Sequence, residues 1–253
     1  MDTKEIKAYV YIILLVILIG AIIMYFLISM IRQQRVTLEL KKQNMRAELN
    51  SIEKERTRIA VDLHDGLAPI VSAIKLKVSS FDLADEVDKY QQQMTYEHLD
   101  DLAQRLREIS FNLMPVALQR KGLIAALDEL ASYNSTKRSL RIQVDATPDE
   151  ILENRHVAIH LYRIVQEIVH NTVKHAEATV LQIALYRNGA NLVLETKDDG
   201  RGFDFEKLKD GDGYGLRSLL SRADFLGGEL SIQSKEGLGT IYSLEIPTPS
   251  SPL

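Results

Sequence analysis

The chain has 253 residues, 45% hydrophobic and 26% charged, with 6 prolines and no cysteine. This excludes a disordered, collagen-like or low-complexity protein, a disulfide scaffold, a thiolate metal site and a cysteine nucleophile, and the length exceeds one domain of roughly 100 to 200 residues. The net charge of −4 is uneven: residues 32–60 carry eight Lys/Arg against four Asp/Glu, whereas residues 61–253 carry 21 basic and 29 acidic groups, which argues against direct nucleic-acid binding through a basic patch.

From Tyr9 to Ile31 there are 23 residues without a charge. As a helix they span about 34 Å, enough for a bilayer core of about 30 Å, and predict a transmembrane helix. A buried soluble helix and a signal peptide are the alternatives, but the run is too long for an ordinary signal h-region and has no small-residue cleavage site before Arg32. Tyr9, Tyr11 and Tyr25 suit interfacial anchoring. Arg32, Arg35, Lys41 and Lys42 follow the span, so positive-inside asymmetry puts the C-terminal bulk in the cytoplasm. About eight residues precede the span, too few for a folded ligand-binding domain.

Between Arg32 and about Ser80 the only Gly and Pro are Gly66 and Pro69, and Leu38, Met45, Ile52 and Ile59 recur every seven residues. That seam predicts a coiled coil, made marginal in register by Lys42 and Arg56 alternating with Leu49 and Leu63. A solvated single helix is the alternative; a membrane anchor, which orients two chains alike, favours a parallel dimer. Leu63, Leu67, Ile70, Ile74 and Val78 form an apolar stripe expected to be buried. After an acidic, Gln-rich turn, Leu99, Leu102, Leu106, Ile109 and Leu113 predict a second helix. Two such hairpins would make a four-helix bundle.

Past Met114-Pro115 the pattern changes. A short helix from Gly122 to about Tyr133, an alternating segment at Leu140, Ile142 and Val144, and a long helix from about Ile151 to His175 are expected. Strands at Val180 to Tyr186 and Leu192 to Thr196, a helix from Gly215 to Leu226, and strands at Glu229 to Ser234 and Thr240 to Ile246 complete an α+β domain of roughly 110 residues.

Two constellations carry chemistry. His64 and Asp65 lie beside the apolar stripe. A neutral imidazole is a competent nucleophile toward phosphorus, and an adjacent carboxylate can hold the N–H of its other ring nitrogen; alone, such a pair is more often a surface hydrogen bond. Pro69 cannot donate to the carbonyl of Asp65, which predicts a kink one turn after the histidine. On the long helix, Glu167, Asn171 and Lys174 at i, i+4 and i+7 share a face, offering oxygen ligands for Mg²⁺ and a cation for phosphate. Alone they read as a polar helix face. They converge with Asp198-Asp199-Gly200-Arg201-Gly202 after a strand, Gly213-Tyr214-Gly215-Leu216 opening a helix, and the turn Gly237-Leu238-Gly239-Thr240. There is no Walker P-loop and no Rossmann fingerprint.

In order, LHDGLAPIVSAIKL, LMPVALQRKGLIAAL, QEIVHNTVKHAEA, DDGRGFD, GYGLRSLLSRADFLGGEL and GLGT resemble a bacterial two-component sensor histidine kinase of the nitrate-sensor and desaturase-sensor subfamily, over about residues 55–247. The resemblance implies an α+β protein: a transmembrane helix, a coiled-coil linker, a dimeric four-helix bundle and a Bergerat-type α/β-sandwich ATP-binding domain. The expected boundaries are 1–8 outside the cytoplasm, 9–31 transmembrane, 32–58 linker, 59–134 dimerisation and phosphotransfer, 135–248 ATP-binding and 249–253 tail. It implies that His64 accepts the phosphoryl group with Asp65 as the base beside it, and that Glu167 orders the site. Asn171 would hold Mg²⁺ and Lys174 would contact phosphate, with His175 next to the nucleotide. Asp198 would read the adenine amino group with support from Thr240, Gly200 and Gly202 would line the base pocket, and Gly213, Gly215 and Leu216 would border the ATP lid. ATP and Mg²⁺ are the implied cofactors. The implied partners are a second copy, membrane lipid and a response regulator with a receiver domain and a helix-turn-helix output domain, at a single-pass bacterial inner-membrane location. One departure stands out: many members of the subfamily carry, four residues after the Asp, a Gln that orients water for dephosphorylating the partner, and Pro69 occupies that position, which implies weak phosphatase activity. A protein-binding ATPase or a serine/threonine kinase using the same nucleotide fold would not need His64 beside a dimer seam, and a non-catalytic membrane coiled-coil scaffold would not need Asn171, Asp198 and three Gly turns together.

Overall fold

The computed structural model describes residues 3–137, 140–147, 150–204 and 214–247 and divides into two compact units, Met1–Ile52 and Glu53–Leu253. Helix α1 (Thr3–Val61) contains the apolar run and the heptad segment. Leu18, Ile22, Tyr25 and Phe26 on it are exposed.

In the second unit α1 gives way to a π turn, Asp62–Leu67, and α2 (Ala68–Ser79) resumes with Pro69 in its first turn. The expected kink one turn after the histidine is thus replaced by a distortion at the histidine itself. Proline has no N–H and its ring crowds the carbonyl four residues earlier. The wider i→i+5 turn, in which the Ala68 N–H donates to Leu63 O, accommodates both problems without a break.

Asp85 caps α3 (Glu86–Leu113) by accepting from the Val87 N–H at 2.7 Å. Gln91, Gln92 and Gln93, expected in the turn, are therefore helical. Gln92 reaches back to donate to Val78 O at 2.6 Å and Phe81 O at 3.1 Å, and Lys75 lies 4.3 Å over the Tyr96 ring, closing the α2–α3 hairpin. The stripe expected to be buried is open in the single chain: Leu67, Ile70 and Ile74 are exposed and Val71 is buried instead. A two-helix hairpin covers only one face of each helix.

Beyond the hairpin come α4 (Val116–Arg120), which periodicity does not announce, and α5 (Leu123–Lys137), a turn longer than expected. Strand β1 (Arg141–Ala146) and a 3-10 turn (Glu150–Glu153) precede α6 (Arg155–Asn171). Asn154 sets the start of α6, four residues later than expected, because its side chain accepts from the His156 and Val157 N–H groups. The helix passes into a second π turn, Thr172–Ala176, which stops at Glu177 with φ 53°. Then follow β2 (Val180–Asn188), β3 (Asn191–Asp198), α7 (Tyr214–Phe225), β4 (Glu229–Ser234) and β5 (Thr240–Pro247).

The sheet order is β1-β2-β3-β5-β4. β1 and β2 are parallel, and the other pairs are antiparallel. Leu161, Ile164, Val165 and Ile168 of α6 pack with Leu181, Ile183 and Leu185 of β2, Leu192 and Leu194 of β3, and Leu244 and Ile246 of β5. Each such fully buried aliphatic side chain contributes roughly 1.5–3 kcal/mol. This two-layer arrangement aligns the C-terminal end of α6 with the end of β3, where the polar residues gather.

Candidate active site

His64 stands on the first π turn, with side-chain exposure of 47% against 65% for Asp65. Its Nδ1 lies 2.7 Å from Asp65 Oδ1. When Nδ1 carries the proton it donates to that carboxylate, and the lone pair stays on Nε2. Asp62, two residues earlier, is held by Arg58 at 3.1 Å.

The second group of residues surrounds the end of α6. Glu167 and Asn171, one α turn apart, border Gly215 at the start of α7: a Cβ on Gly215 would collide with Glu167 Oε1 and lie 3.6 Å from Asn171 Nδ2. A side chain there would have to push the Glu167 carboxylate aside. Neither side chain makes a hydrogen bond among the described residues. Lys174 and His175 are exposed on the wider turn that follows, so Lys174 leaves the α-helical face shared by Glu167 and Asn171. Leu216 is half-buried beside Gly215. Gly213 lies outside the described residues.

Asp198 ends β3 and is 4% exposed. Its Oδ1 accepts from the Gly200 N–H at 2.9 Å and the Thr240 N–H at 3.3 Å. Burial raises its pKa, and the two N–H groups oppose that rise. Oδ2 accepts no hydrogen bond among the described residues. The neighbouring Asp199 has a different task. It accepts from the Thr179 and Val180 N–H groups at 2.8 and 2.9 Å and from the Thr179 hydroxyl at 2.5 Å. These bonds, the hydroxyl first, hold its carboxyl below the usual range and fix the start of β2.

The glycines of this loop are required by backbone packing. A Cβ on Gly200 would lie 2.5 Å from Ala176 O, and Gly202, at φ 61°, runs against Lys235 O. Thr240 supports Asp198 through its backbone N–H, while its hydroxyl pairs with Ser234 Oγ at 3.0 Å. Ser234 also accepts from the Phe203 N–H at 2.9 Å, joining the loop to the β4–β5 turn. Motif reading did not select Ser234, nor Thr196, one pleat before Asp198 on the same strand face, nor Tyr242 opposite Thr196 on β5. The Thr196 hydroxyl is buried with no partner among the described residues. Burial, then the carboxylates of Asp198 and Glu167, push Tyr242 up to about 12.

An open Asp198 oxygen beside an orphaned hydroxyl fits a buried ring bearing hydrogen-bonding edges, and a carboxylate with a side-chain amide fits Mg²⁺, which takes oxygen ligands. A separate cavity of about 260 Å³ is lined by Leu118, Arg120, Leu152 and Arg155 and by none of these residues.

Two family models match the chain. One, described as histidine kinase, covers residues 55–118. The other, described as histidine kinase-, DNA gyrase B- and HSP90-like ATPase, covers residues 156–250. The sensor histidine kinase LiaS of Bacillus subtilis (strain 168) is 33% identical over 217 residues, covering 82% of this chain and 59% of that protein. The chain thus spans less than two thirds of that relative's length. Among solved structures, the histidine kinase domain of the blue-light activated histidine kinase of Erythrobacter litoralis EL346 aligns over 72% of this chain and 94% of its own, with TM-score 0.47 and 19% identity. The ATP binding domain of PrrB from Mycobacterium tuberculosis aligns over 51% and 96%, with TM-score 0.41 and 21% identity.

Proposed function

We propose that this chain, which belongs to the two-component sensor histidine kinases of the HisKA_3 type, takes the γ-phosphoryl group of ATP onto His64 and passes it to an aspartate of a response regulator. The observation that carries the reading is the His64–Asp65 bond of 2.7 Å, which fixes the proton on Nδ1 and leaves Nε2 to attack phosphorus. As the N–P bond forms and the bond to the leaving ADP oxygen breaks, Asp65 stabilises the cationic ring and takes the Nδ1 proton. Asp198 Oδ2 accepts from the adenine amino group, and Thr196 supplies the neighbouring hydroxyl. Asn171 holds Mg²⁺ with Glu167 ordering the site, and Lys174 and His175 meet the phosphates from the π turn. Gly215 and Leu216 border the lid. Mg²⁺, when bound, neutralises charge on the transferring phosphoryl group.

We read residues 9–31 as a single span of a bacterial inner membrane, 32–58 as linker, and 59–134 and 135–248 as the phosphotransfer hairpin and the ATP-binding domain on its cytoplasmic side. The exposed stripe of Leu67, Ile70 and Ile74 supports pairing with the same stripe of a second copy. Transfer is tested by labelling the chain in detergent micelles with γ-labelled ATP, removing nucleotide, and adding a receiver-domain protein. Label should leave the kinase and appear as an acyl phosphate on the receiver; label that stays on the kinase with every receiver tried contradicts the transfer.

Two further expectations arise here. The Leu38, Met45, Ile52, Ile59 repeat makes register the input variable, so inserting one residue after Met45 should change the autophosphorylation rate strongly, and inserting seven should preserve it. Equal rates would make the linker passive. Pro69 offers no polar group to align water on an acyl phosphate, so a phospho-regulator mixed with a His64→Ala chain, ADP and Mg²⁺ should lose its phosphate no faster than it does alone. Pro69→Gln in that background should raise the rate only where the helix tolerates losing its π turn.

A further inference from the structure

The most deeply buried ionic cluster in the second unit lies outside the nucleotide residues. Glu53 of α1 is 4% exposed, while its neighbours Lys54 and Glu55 face solvent. Its Oε2 accepts from Arg163 Nε at 2.9 Å and its Oε1 from Arg222 Nη2 at 2.9 Å. Arg163 (3% exposed) lies on α6, one turn before Glu167; Arg222 (5%) lies on α7, two turns after Gly215. Arg163 also donates to Gln166 Oε1 at 2.7 Å, to Asn112 O at 3.1 Å and to Leu113 O. Arg222 Nη1 lies 3.2 Å from His160 Nδ1, and His160 stacks on Phe225 at 3.8 Å. One carboxylate therefore gathers the linker helix, the end of α3 and both helices that border Gly215.

The charge balance makes this contact all-or-none. Two buried guanidinium groups face one carboxylate, with Arg56 3.7 Å away at the rim. Burial and the nearby Arg222 keep His160 neutral, lowering it to about 4. Burial alone would raise the Glu53 carboxyl, but Arg163 and Arg222 outweigh it and hold it low. Lifting Glu53 out leaves two cations in the interior with no anion, a state that must open to water.

We propose that Glu53 is a latch that holds α6 and α7 against the linker helix and keeps His64 unphosphorylated until the helix moves. The proposal rests on His64 being the acceptor. Glu53 precedes His64 by 11 residues on the same helix, about 16 Å along its axis. The latched helices are tied at that level, whereas the histidine turn packs on α2 and α3. Transfer needs the reacting atoms within roughly 3–3.5 Å, and giving up the bond at Glu53 is what would free α6 and α7 to reach that distance. A small rotation or shift of the linker, transmitted along one helix, is enough to unseat a carboxylate held by two fixed guanidinium groups.

The test uses the full chain in detergent micelles. Glu53→Gln should raise the autophosphorylation rate roughly 5- to 150-fold, the range of ordinary coupling between sites, with ATP affinity unchanged and hydrogen exchange in α7 accelerated. Because the chain has no cysteine, a Glu53→Cys/Arg222→Cys pair can be bridged by a short bismaleimide: the open pair should be fast and the bridged pair slow. An unchanged or lower rate in Glu53→Gln, or a bridged pair as fast as the open one, overturns the latch. If no form is labelled, the phosphoacceptor reading has failed instead, and the exchange in α7 still decides whether Glu53 holds that helix. Should the Glu53→Gln chain fail to fold, the rates of the open and bridged pair decide between latch and no latch.

Discussion

His64→Gln is expected to reduce autophosphorylation to background while leaving the dissociation constant for ATP within about twofold, because distant sites contribute independently. Glutamine keeps polarity and length but has no nitrogen lone pair able to attack phosphorus. The residues proposed to border the nucleotide, Glu167, Asn171, Asp198 and Gly215, belong to α6, β3 and α7, none of which makes a hydrogen bond to the His64 side chain among the described residues. Isothermal titration with ATP and a labelling time course on the same preparation separate the two quantities. A variant that binds ATP normally and still acquires an acid-labile label would move the acceptor to another histidine.

Asp198→Asn should do the reverse and weaken ATP itself. The Gly200 and Thr240 N–H groups occupy Oδ1, so the side chain must keep its oxygen toward them. That turns an NH₂ group toward the position where an acceptor is needed. Losing one charge-assisted hydrogen bond costs about 1.5–3 kcal/mol, which corresponds to a rise of roughly 10- to 150-fold in the dissociation constant. Asp199→Asn, one residue on, is the informative control. Its carboxylate serves Thr179 and Val180, so it should loosen the start of β2 and leave ATP affinity nearly unchanged. Equal losses for the two variants would mean that Asp198 acts on the fold rather than on adenine.

The contrast between these adjacent aspartates marks where the sequence is legible. Alternating Leu181, Ile183 and Leu185 announce a strand, and the apolar face of α6 announces a helix, because burial follows the 2.0 and 3.6 periods. Element ends are set by single capping side chains, Asp85 and Asn154, and these can be read once a cap is sought. The two π turns could not be read this way. An i→i+5 turn leaves no periodic trace over five or six residues, and its effect is to reposition His64 in one case and Lys174 and His175 in the other.

Glu53 was illegible for another reason. A glutamate between Ile52 and Lys54 in a heptad helix reads as a solvated side chain, and its partners Arg163 and Arg222 lie 110 and 169 residues away. Thr196 and Ser234 are hidden likewise, because hydroxyls on strands carry no motif: Thr196 stands two residues before Asp198 on the same strand face, and only the pairing of β3 with β5 and of β5 with β4 brings Ser234, through Thr240, toward Asp198. The boxes themselves were legible because each is local in sequence. Gly200, Gly202 and Gly239 mark backbone that passes against Ala176, Lys235 and Asp198, so glycine was informative wherever two main chains cross.

The central claim is that this chain phosphorylates its own His64. Its most direct measurement is incubation of the purified full chain with γ-labelled ATP and Mg²⁺, followed by acid and alkali treatment and localisation of the label by peptide mass. The expected result is one label that acid removes and alkali preserves, on the peptide containing His64. A label stable to acid, a label on a peptide lacking His64, or ATP bound and hydrolysed with no label on the protein would contradict it.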